Sequence, residues 1–357
     1  MPPVPKLSIT PQDPPNAIQI ELVEGCSLNC QFCGVQGIRE TRGGYKYMTC
    51  ETMDGLCVRL AHAIKNHRWN PRIELAMHGE PTMHPQIVDM VAALARVGLR
   101  SLSVVSNGTG FSKKPDLIDR LVRSGVDWIC LDEYDGCDFV QKALAGYSGD
   151  VPIYRYDGSD EQVKFWSQGN RKPPGVIVKS DVSHLTKPYD RVNTHCGGGG
   201  KPHEVNPALH KRCAKPFREL AIRWDGNVAL CCNDFRGIYK IGNLLDYETL
   251  DGLWHAPGFE AARRVLYAGS REFVPCQWCD ALSPRVGLLP DKYGKKTMPA
   301  PDRTTTQAIN AAIAGESLTV PVLRGWEIGG NTPCLPPLYD LGTLRVQKID
   351  QKETPAE

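Results

Sequence analysis

Cys26, Cys30 and Cys33 stand at Cys-x3-Cys-x2-Cys spacing in the run Glu24-Gly25-Cys26-Ser27-Leu28-Asn29-Cys30-Gln31-Phe32-Cys33-Gly34. Three thiolates on one short loop can grip one face of an iron-sulfur cube, leaving the fourth iron open to chemistry; a four-cysteine loop makes a saturated electron carrier instead. Closely spaced thiolates also suit tetrahedral zinc, so a structural zinc loop is the competing reading. A second group, Cys213, Cys231, Cys276 and Cys279, is spread over a longer stretch. Its four thiolates leave no vacancy, which fits structural zinc or a saturated [4Fe-4S] cluster. Cys232, beside Cys231, is an alternative ligand. The remaining cysteines, Cys50, Cys57, Cys130, Cys137, Cys196 and Cys334, are scattered and read as small buried hydrophobes.

The elements around these residues decide whether they meet. Residues 18–23 alternate as a half-buried strand does, and the first cysteine loop begins where that strand ends. Helical periodicity over 52–67, 85–97 and 115–124 separates further strands at 73–77, 101–105 and 127–131, with two more at 152–156 and 175–179. Strands alternating with helices predict an α/β fold with parallel pairing, as an open barrel or a doubly wound sheet. Each polar signal follows a strand: the cysteine loop, His78-Gly79-Glu80-Pro81, Ser106-Asn107-Gly108 and Asp132-Glu133. In α/β barrels the strand-to-helix loops converge at one mouth, so these four should line it. Singly they are weak signals; Asn107-Gly108 is a turn signal in its own right.

The run 183–212 reads as irregular, and within it His195-Cys196 as an inert loop pair before four glycines. A second module begins near residue 205. Strands at 220–224 and 228–231, joined by a tight Asp225-Gly226 turn, form a hairpin that brings Cys213 near Cys231. Helices through Trp254 and over 258–268 lead to Cys276-Gln277-Trp278-Cys279. Beyond residue 289 the chain turns polar and proline-rich, with Lys292, Lys295, Lys296 and one helix over 304–314, and reads as a wrap over the barrel or a partner surface.

Composition narrows the class. At 357 residues, with 41% hydrophobic and 23% charged content, the chain suits about two globular domains. A net charge of +2 gives no electrostatic case for nucleic acid or an anionic membrane. There is no apolar run long enough to span a bilayer and no signal peptide at the start, so the expected location is cytoplasmic. Fourteen cysteines in that setting argue for metal or redox use rather than a disulfide framework.

On these motifs the chain resembles the radical S-adenosylmethionine (SAM) enzymes over roughly residues 17–290. The resemblance implies a partial (β/α)6 barrel over 17–204, after an extended segment 1–16. Cys26, Cys30 and Cys33 would hold a [4Fe-4S] cluster whose open iron is chelated by SAM, with Phe32 packing by the adenine. Gly79 and Glu80 match part of the Gly-Gly-Glu-Pro run that holds the SAM amino group; His78 stands in place of its first glycine, so the backbone approach there can differ. Ser106 and Asn107 resemble the polar strand end that meets the ribose. Residues 205–290 resemble the start of the SPASM domain, through Cys213-x12-Gly226-x4-Cys231 and the later Cys-x2-Cys pair. Without the remaining cysteines of the full domain, they look like its shortened relative, the twitch domain. One auxiliary [4Fe-4S] cluster would sit on Cys213, Cys231, Cys276 and Cys279, and 291–357 form an extension the resemblance does not reach.

The activity implied is reductive cleavage of SAM by a reduced cluster, fed by a flavodoxin- or ferredoxin-type partner. The resulting 5′-deoxyadenosyl radical would abstract hydrogen from substrate. The architecture is similar to that of the radical SAM dehydrogenase acting on 2-deoxy-scyllo-inosamine, and with no separate peptide-recognition domain ahead of Ile18 the expected reaction is oxidation of a small polyol- or sugar-like molecule. Peptide modification is the alternative enzyme reading, and a non-catalytic zinc or iron-sulfur scaffold or electron carrier the alternative of another class. Substrate and general base are not legible.

Overall fold

A computed structural model describes residues 14–30, 33, 35, 43–99, 101–134, 136–156, 175–182, 213 and 215–279. Phe32, residues 1–13 of the N-terminal segment, the His195-Cys196 pair, the helix expected over 304–314 and the whole extension 291–357 lie outside them.

Among the described residues, nine strands form one sheet, in the spatial order Lys240–Asn243, Asn227–Ala229, Glu219–Ile222, Ala17–Ile20, Arg72–Leu75, Ser101–Ser106, Trp128–Tyr134, Gly175–Val182 and Ile153–Tyr156. In chain order they begin with β1 (Ala17–Ile20), whose Ile18 and Ile20 are fully buried. A short ribbon, β2 (Val23–Glu24) against β3 (Lys46–Tyr47), stands apart from the sheet. Then come β4 (Arg72–Leu75), β5 (Ser101–Ser106), β6 (Trp128–Tyr134), β7 (Ile153–Tyr156) and β8 (Gly175–Val182). β4 pairs in parallel with β1 and the rest follow in parallel, each on its neighbour, with β8 between β6 and β7. Alternation is plain in β5, where Leu102, Val104 and Ser106 are buried and the residues between them half-buried. The fold class is the expected one, α/β with a largely parallel sheet.

Helices close the crossovers. The longest, α1 (Cys50–His67), starts where the Thr49 hydroxyl accepts the Thr52 N–H at 3.1 Å. Its apolar stripe, Met53, Leu56, Leu60 and Ala63, is buried against the sheet and its neighbours, each large side chain contributing roughly 1.5–3 kcal/mol by leaving water. The others on this half are α2 (Ile87–Ala95), α3 (Thr109–Lys113), α4 (Leu117–Arg123) and α5 (Phe139–Ala145).

The second half is not a separate body. After α6 (Lys215–Arg218), β9 (Glu219–Ile222) pairs in parallel with β1 along its length, Ala17 opposite Glu219 through Ile20 opposite Ile222. The hairpin partner β10 (Asn227–Ala229) and then β11 (Lys240–Asn243) extend the sheet antiparallel. The helices α7 (Leu250–Trp254) and α8 (Pro257–Ala268) cover them. Arg263 of α8 is fully buried, donating to the carbonyls of Pro216 and Trp254 at 2.7 Å with its guanidinium over the Trp254 and Phe259 rings. Arg59 of α1 donates to the carbonyls of Tyr247 and Leu245, and a single apolar core runs from Ile18 through Leu220 to Phe273.

Candidate functional site

Parallel pairing sends the ends of β1, β4, β5 and β6 out on one side of the sheet, and the cysteine loop, residues 78–80, Ser106-Asn107 and Tyr134 gather there. Gly79 is obligatory: a Cβ on it would overlap the carbonyl oxygen of Val23 and press on that of Gly25. The Glu80 N–H donates to the Gly25 carbonyl at 2.9 Å, so the turn after β4 lies directly on the start of the cysteine loop.

The Glu80 side chain is 2% exposed, and its carboxylate organises the mouth. One oxygen accepts from the Thr82 N–H at 3.0 Å, from the Thr82 hydroxyl and from the Ser106 hydroxyl at 2.8 Å; the other accepts the Asn107 N–H at 2.8 Å. Burial pushes its pKa up, although these hydrogen bonds pull the other way. Asn107 stands at the turn with both ends of its amide engaged. Its carbonyl oxygen accepts from the Thr109 N–H and hydroxyl, at 3.0 and 2.7 Å, which aims its NH2 at the Cys26 sulfur, 3.2 Å away. The Leu28 N–H also donates to that sulfur at 3.4 Å.

Burial raises the Cys26 thiol to about 11, with the Glu80 charge adding to it, and raises Cys30 to about 12, with Cys33 and Cys26 adding theirs. Buried thiols that oppose one another's ionisation favour a cationic centre that draws them together as thiolates. This donor set, with amide donors already directed at sulfur, fits an iron-sulfur cluster.

Three aromatic residues that the sequence did not single out shape this loop. Tyr45, just before the ribbon partner of Val23-Glu24, donates its hydroxyl to the Cys26 carbonyl at 3.2 Å and packs where a side chain on Gly25 would lie. Phe235, from the second half, is buried with Val35 against Cys26 and Cys33, and its ring lies 4.1 Å from that of His78. Half-buried Tyr134 has its phenol pKa raised by burial, then by the charges of Asp132, Cys30, Cys26 and Cys33. Asp132-Glu133, expected after a strand, instead lies within β6, which runs on to Tyr134. Asp132 lies 3.6 Å from Lys179 on the neighbouring β8, and Glu133 3.8 Å from Arg155 on β7, one strand further out.

A buried charged chain joins the two halves. His78 approaches Glu21 at 3.2 Å and places its other ring nitrogen 2.6 Å from the Cys232 carbonyl. Arg223 lies 3.6 Å from Glu21, donates to Glu24 at 2.5 Å and also reaches the Phe235 carbonyl at 3.1 Å. Burial raises the Glu21 pKa, but the adjoining His78 and Arg223 outweigh it and leave it lowered. His78 thus does more than replace a glycine: it fastens the turn after β4 to the loop that begins at Cys231.

Cys213, Cys231, Cys276 and Cys279 line one cavity together with Lys215 and Arg271. Cys276–Trp278 is a single 3-10 turn in which the Cys279 N–H donates to the Cys276 carbonyl at 3.0 Å, putting both sulfurs on one side. Cys232 does not line the cavity; its sulfur accepts from Lys215 at 3.2 Å. Burial raises the Cys213 thiol to about 12 and lifts Cys276 well above its ordinary value, and the other cysteines of the cavity push both the same way. Among the described residues, no group of three or more His, Cys, Asp or Glu side chains is placed to hold one metal ion. Four thiols around a cavity suit a cluster, whose corners are spread, with one sulfur available for each iron.

Residues 20–151 match the model of the radical SAM superfamily, and residues 213–280 match that of SPASM, an iron-sulfur cluster-binding domain. Among curated proteins, MJ0103 of Methanocaldococcus jannaschii is 32% identical over 138 residues, covering 37% of this chain and 30% of that protein. Molybdenum cofactor biosynthesis protein 1 of Homo sapiens is 30% identical over 114 residues, covering 31% of this chain and 16% of that protein. The chain thus spans less than a third of either relative's length. The crystal structure of BtrN in complex with AdoMet and 2-DOIA superposes with a TM-score of 0.54 at 15% identity, covering 78% of this chain and 98% of that one, a likeness of fold. Among the described residues, no helix is long and apolar enough to cross a membrane.

Proposed function

We propose that this chain, which belongs to the radical SAM superfamily and carries an iron-sulfur SPASM domain, reductively cleaves SAM and oxidises a small polyol- or sugar-like molecule. The observation that bears most on the reading is the single network in which Glu80 holds Ser106 and Asn107 while Asn107 donates to the sulfur of Cys26. When bound, a [4Fe-4S] cluster carrying SAM supplies the hydrogen-abstracting 5′-deoxyadenosyl radical, and a second cluster supplies an electron acceptor.

The protein's own part is binding, orientation and exclusion of water. Cys26, Cys30 and Cys33 are the ligands of the first cluster, with Asn107 and the Leu28 N–H donating to the Cys26 sulfur. Gly79 and Glu80 fix the adjoining turn where SAM binds, and Phe235 with Val35 shields the loop from water. Cys213, Cys231, Cys276 and Cys279 hold the second cluster. A flavodoxin- or ferredoxin-type protein supplies the reducing electron. BtrN, similar in fold, is captured with AdoMet and 2-DOIA, which supports a small-molecule substrate.

The test is a Cys26→Ala, Cys30→Ala, Cys33→Ala triple variant, reconstituted anaerobically. It should form no 5′-deoxyadenosine and keep about four irons per chain at the remaining cysteines. Unchanged SAM cleavage would overturn the first assignment; one zinc and no iron would make the second module purely structural.

A further inference from the structure

The second cavity holds two cations that ligation does not call for. Lys215 and Arg271 line it beside the four cysteines, 9% and 1% exposed. Lys215 is held in place: its ammonium donates to Glu219 at 2.7 Å and to the Cys232 sulfur at 3.2 Å, one residue from Cys231. Arg271 donates to the carbonyl of Cys279 at 3.4 Å, and its charge eases ionisation of the Cys213 and Cys276 thiols.

We propose that Lys215 sets the reduction potential of the auxiliary cluster, raising it so that the cluster accepts an electron, with Glu219 as the counterweight. The inference rests on the reading of Cys213, Cys231, Cys276 and Cys279 as that cluster's ligands. Four thiolates outweigh the positive charge of the iron-sulfur core, so the loaded site is anionic and a gained electron makes it more so. A buried ammonium stabilises the more anionic state with little screening from solvent. The Glu219 carboxylate lies behind the ammonium and subtracts from that field. A lysine present only to satisfy Glu219 and the Cys232 sulfur would leave the potential where it is.

The experiment uses the full chain with the Cys26/Cys30/Cys33→Ala background, so that only the auxiliary cluster is observed. Iron is counted, and the midpoint of the reduced cluster's EPR signal is measured against applied potential. Lys215→Met should make the cluster at least tenfold harder to reduce, about 59 mV for one electron, while Lys215→Arg keeps the parent midpoint. Glu219→Gln should move the midpoint the opposite way, to higher potential. An unchanged midpoint in Lys215→Met with iron retained, or a fall in Glu219→Gln, would overturn the proposal. If Lys215→Met does not hold iron, Glu219→Gln decides, since an unmoved midpoint there also overturns it. Zinc without iron in the parent variant would defeat the ligand reading instead.

Discussion

Glu80→Gln removes one charge and almost no volume from the centre of the mouth. Glutamine has one acceptor oxygen where Glu80 uses two. Turning that oxygen to Thr82 and Ser106 preserves three contacts and points the NH2 at the Asn107 N–H, donor against donor. A hydrogen bond to a charged group contributes about 1.5–3 kcal/mol, and a buried donor left unsatisfied costs about 1–3 kcal/mol. The neutral amide regains part of this by escaping the burial penalty that raises the Glu80 pKa. A net loss of about 2 kcal/mol follows, and it falls on Asn107, whose NH2 reaches Cys26. At about 1.4 kcal/mol per factor of ten, SAM affinity should fall at least tenfold. Equilibrium binding of SAM to the reconstituted variant, with iron content and urea midpoint measured on the same sample, reads the effect. Affinity and midpoint both equal to wild type would refute Glu80 as the organiser of the mouth.

Gly79→Ala should be more damaging than its size suggests, because the new methyl meets the Val23 backbone rather than a side chain that can yield. Iron bound by the first site, counted by difference from the triple cysteine variant, should fall while the second site stays loaded. Arg223→Met leaves Glu21 and Glu24 buried beside each other without their guanidinium, a loss of roughly 3–5 kcal/mol that a urea denaturation midpoint would show; an unmoved midpoint would mean the buried pair is compensated elsewhere. His84 is held neutral, one ring nitrogen contacting the Met48 carbonyl at 2.9 Å and the other accepting the Gln86 N–H at 3.1 Å. Burial lowers its pKa below 6.5, so its contribution is present above that value and is lost as pH falls through the lowered folded pKa. His84→Gln should therefore narrow the stability difference between neutral and mildly acidic pH, and an equal difference in both proteins would count against it.

What the sequence disclosed was local. Thiol spacing, a glycine beside a carboxylate and an Asn-Gly turn each lie within a few residues, and alternation exposed the strands that carry them. Contacts between distant residues were out of reach. Nothing in Glu219–Ile222 marks it as the parallel partner of Ala17–Ile20 rather than half of an isolated hairpin. Arg223 meets Glu24 from 199 positions away, and Phe235 looks like any core aromatic until its contact with Cys26 and Cys33 is seen. His78 was visible only as a departure from a glycine run; its bond to the Cys232 carbonyl depends on a loop 154 positions later. The Gly226-x4-Cys231 pattern favoured Cys231 over its neighbour by resemblance alone, whereas the fold turns Cys231 toward the cavity and Cys232 to Lys215.

The pairing of β1 with β9 also constrains how the protein is made. β1 leaves the ribosome some two hundred residues before its partner, and until β9 arrives one edge of the growing sheet has unpaired amides and carbonyls, the kind of edge that recruits foreign strands. The Cys26 loop is in the same position, since Arg223 and Phe235, which hold and cover it, are translated late. Contacts of such sequence separation form slowly. The first cysteine triad therefore reaches its final enclosure only after the second module has been synthesised, and a chain cut after residue 204 would present both an open strand edge and an uncovered set of thiols.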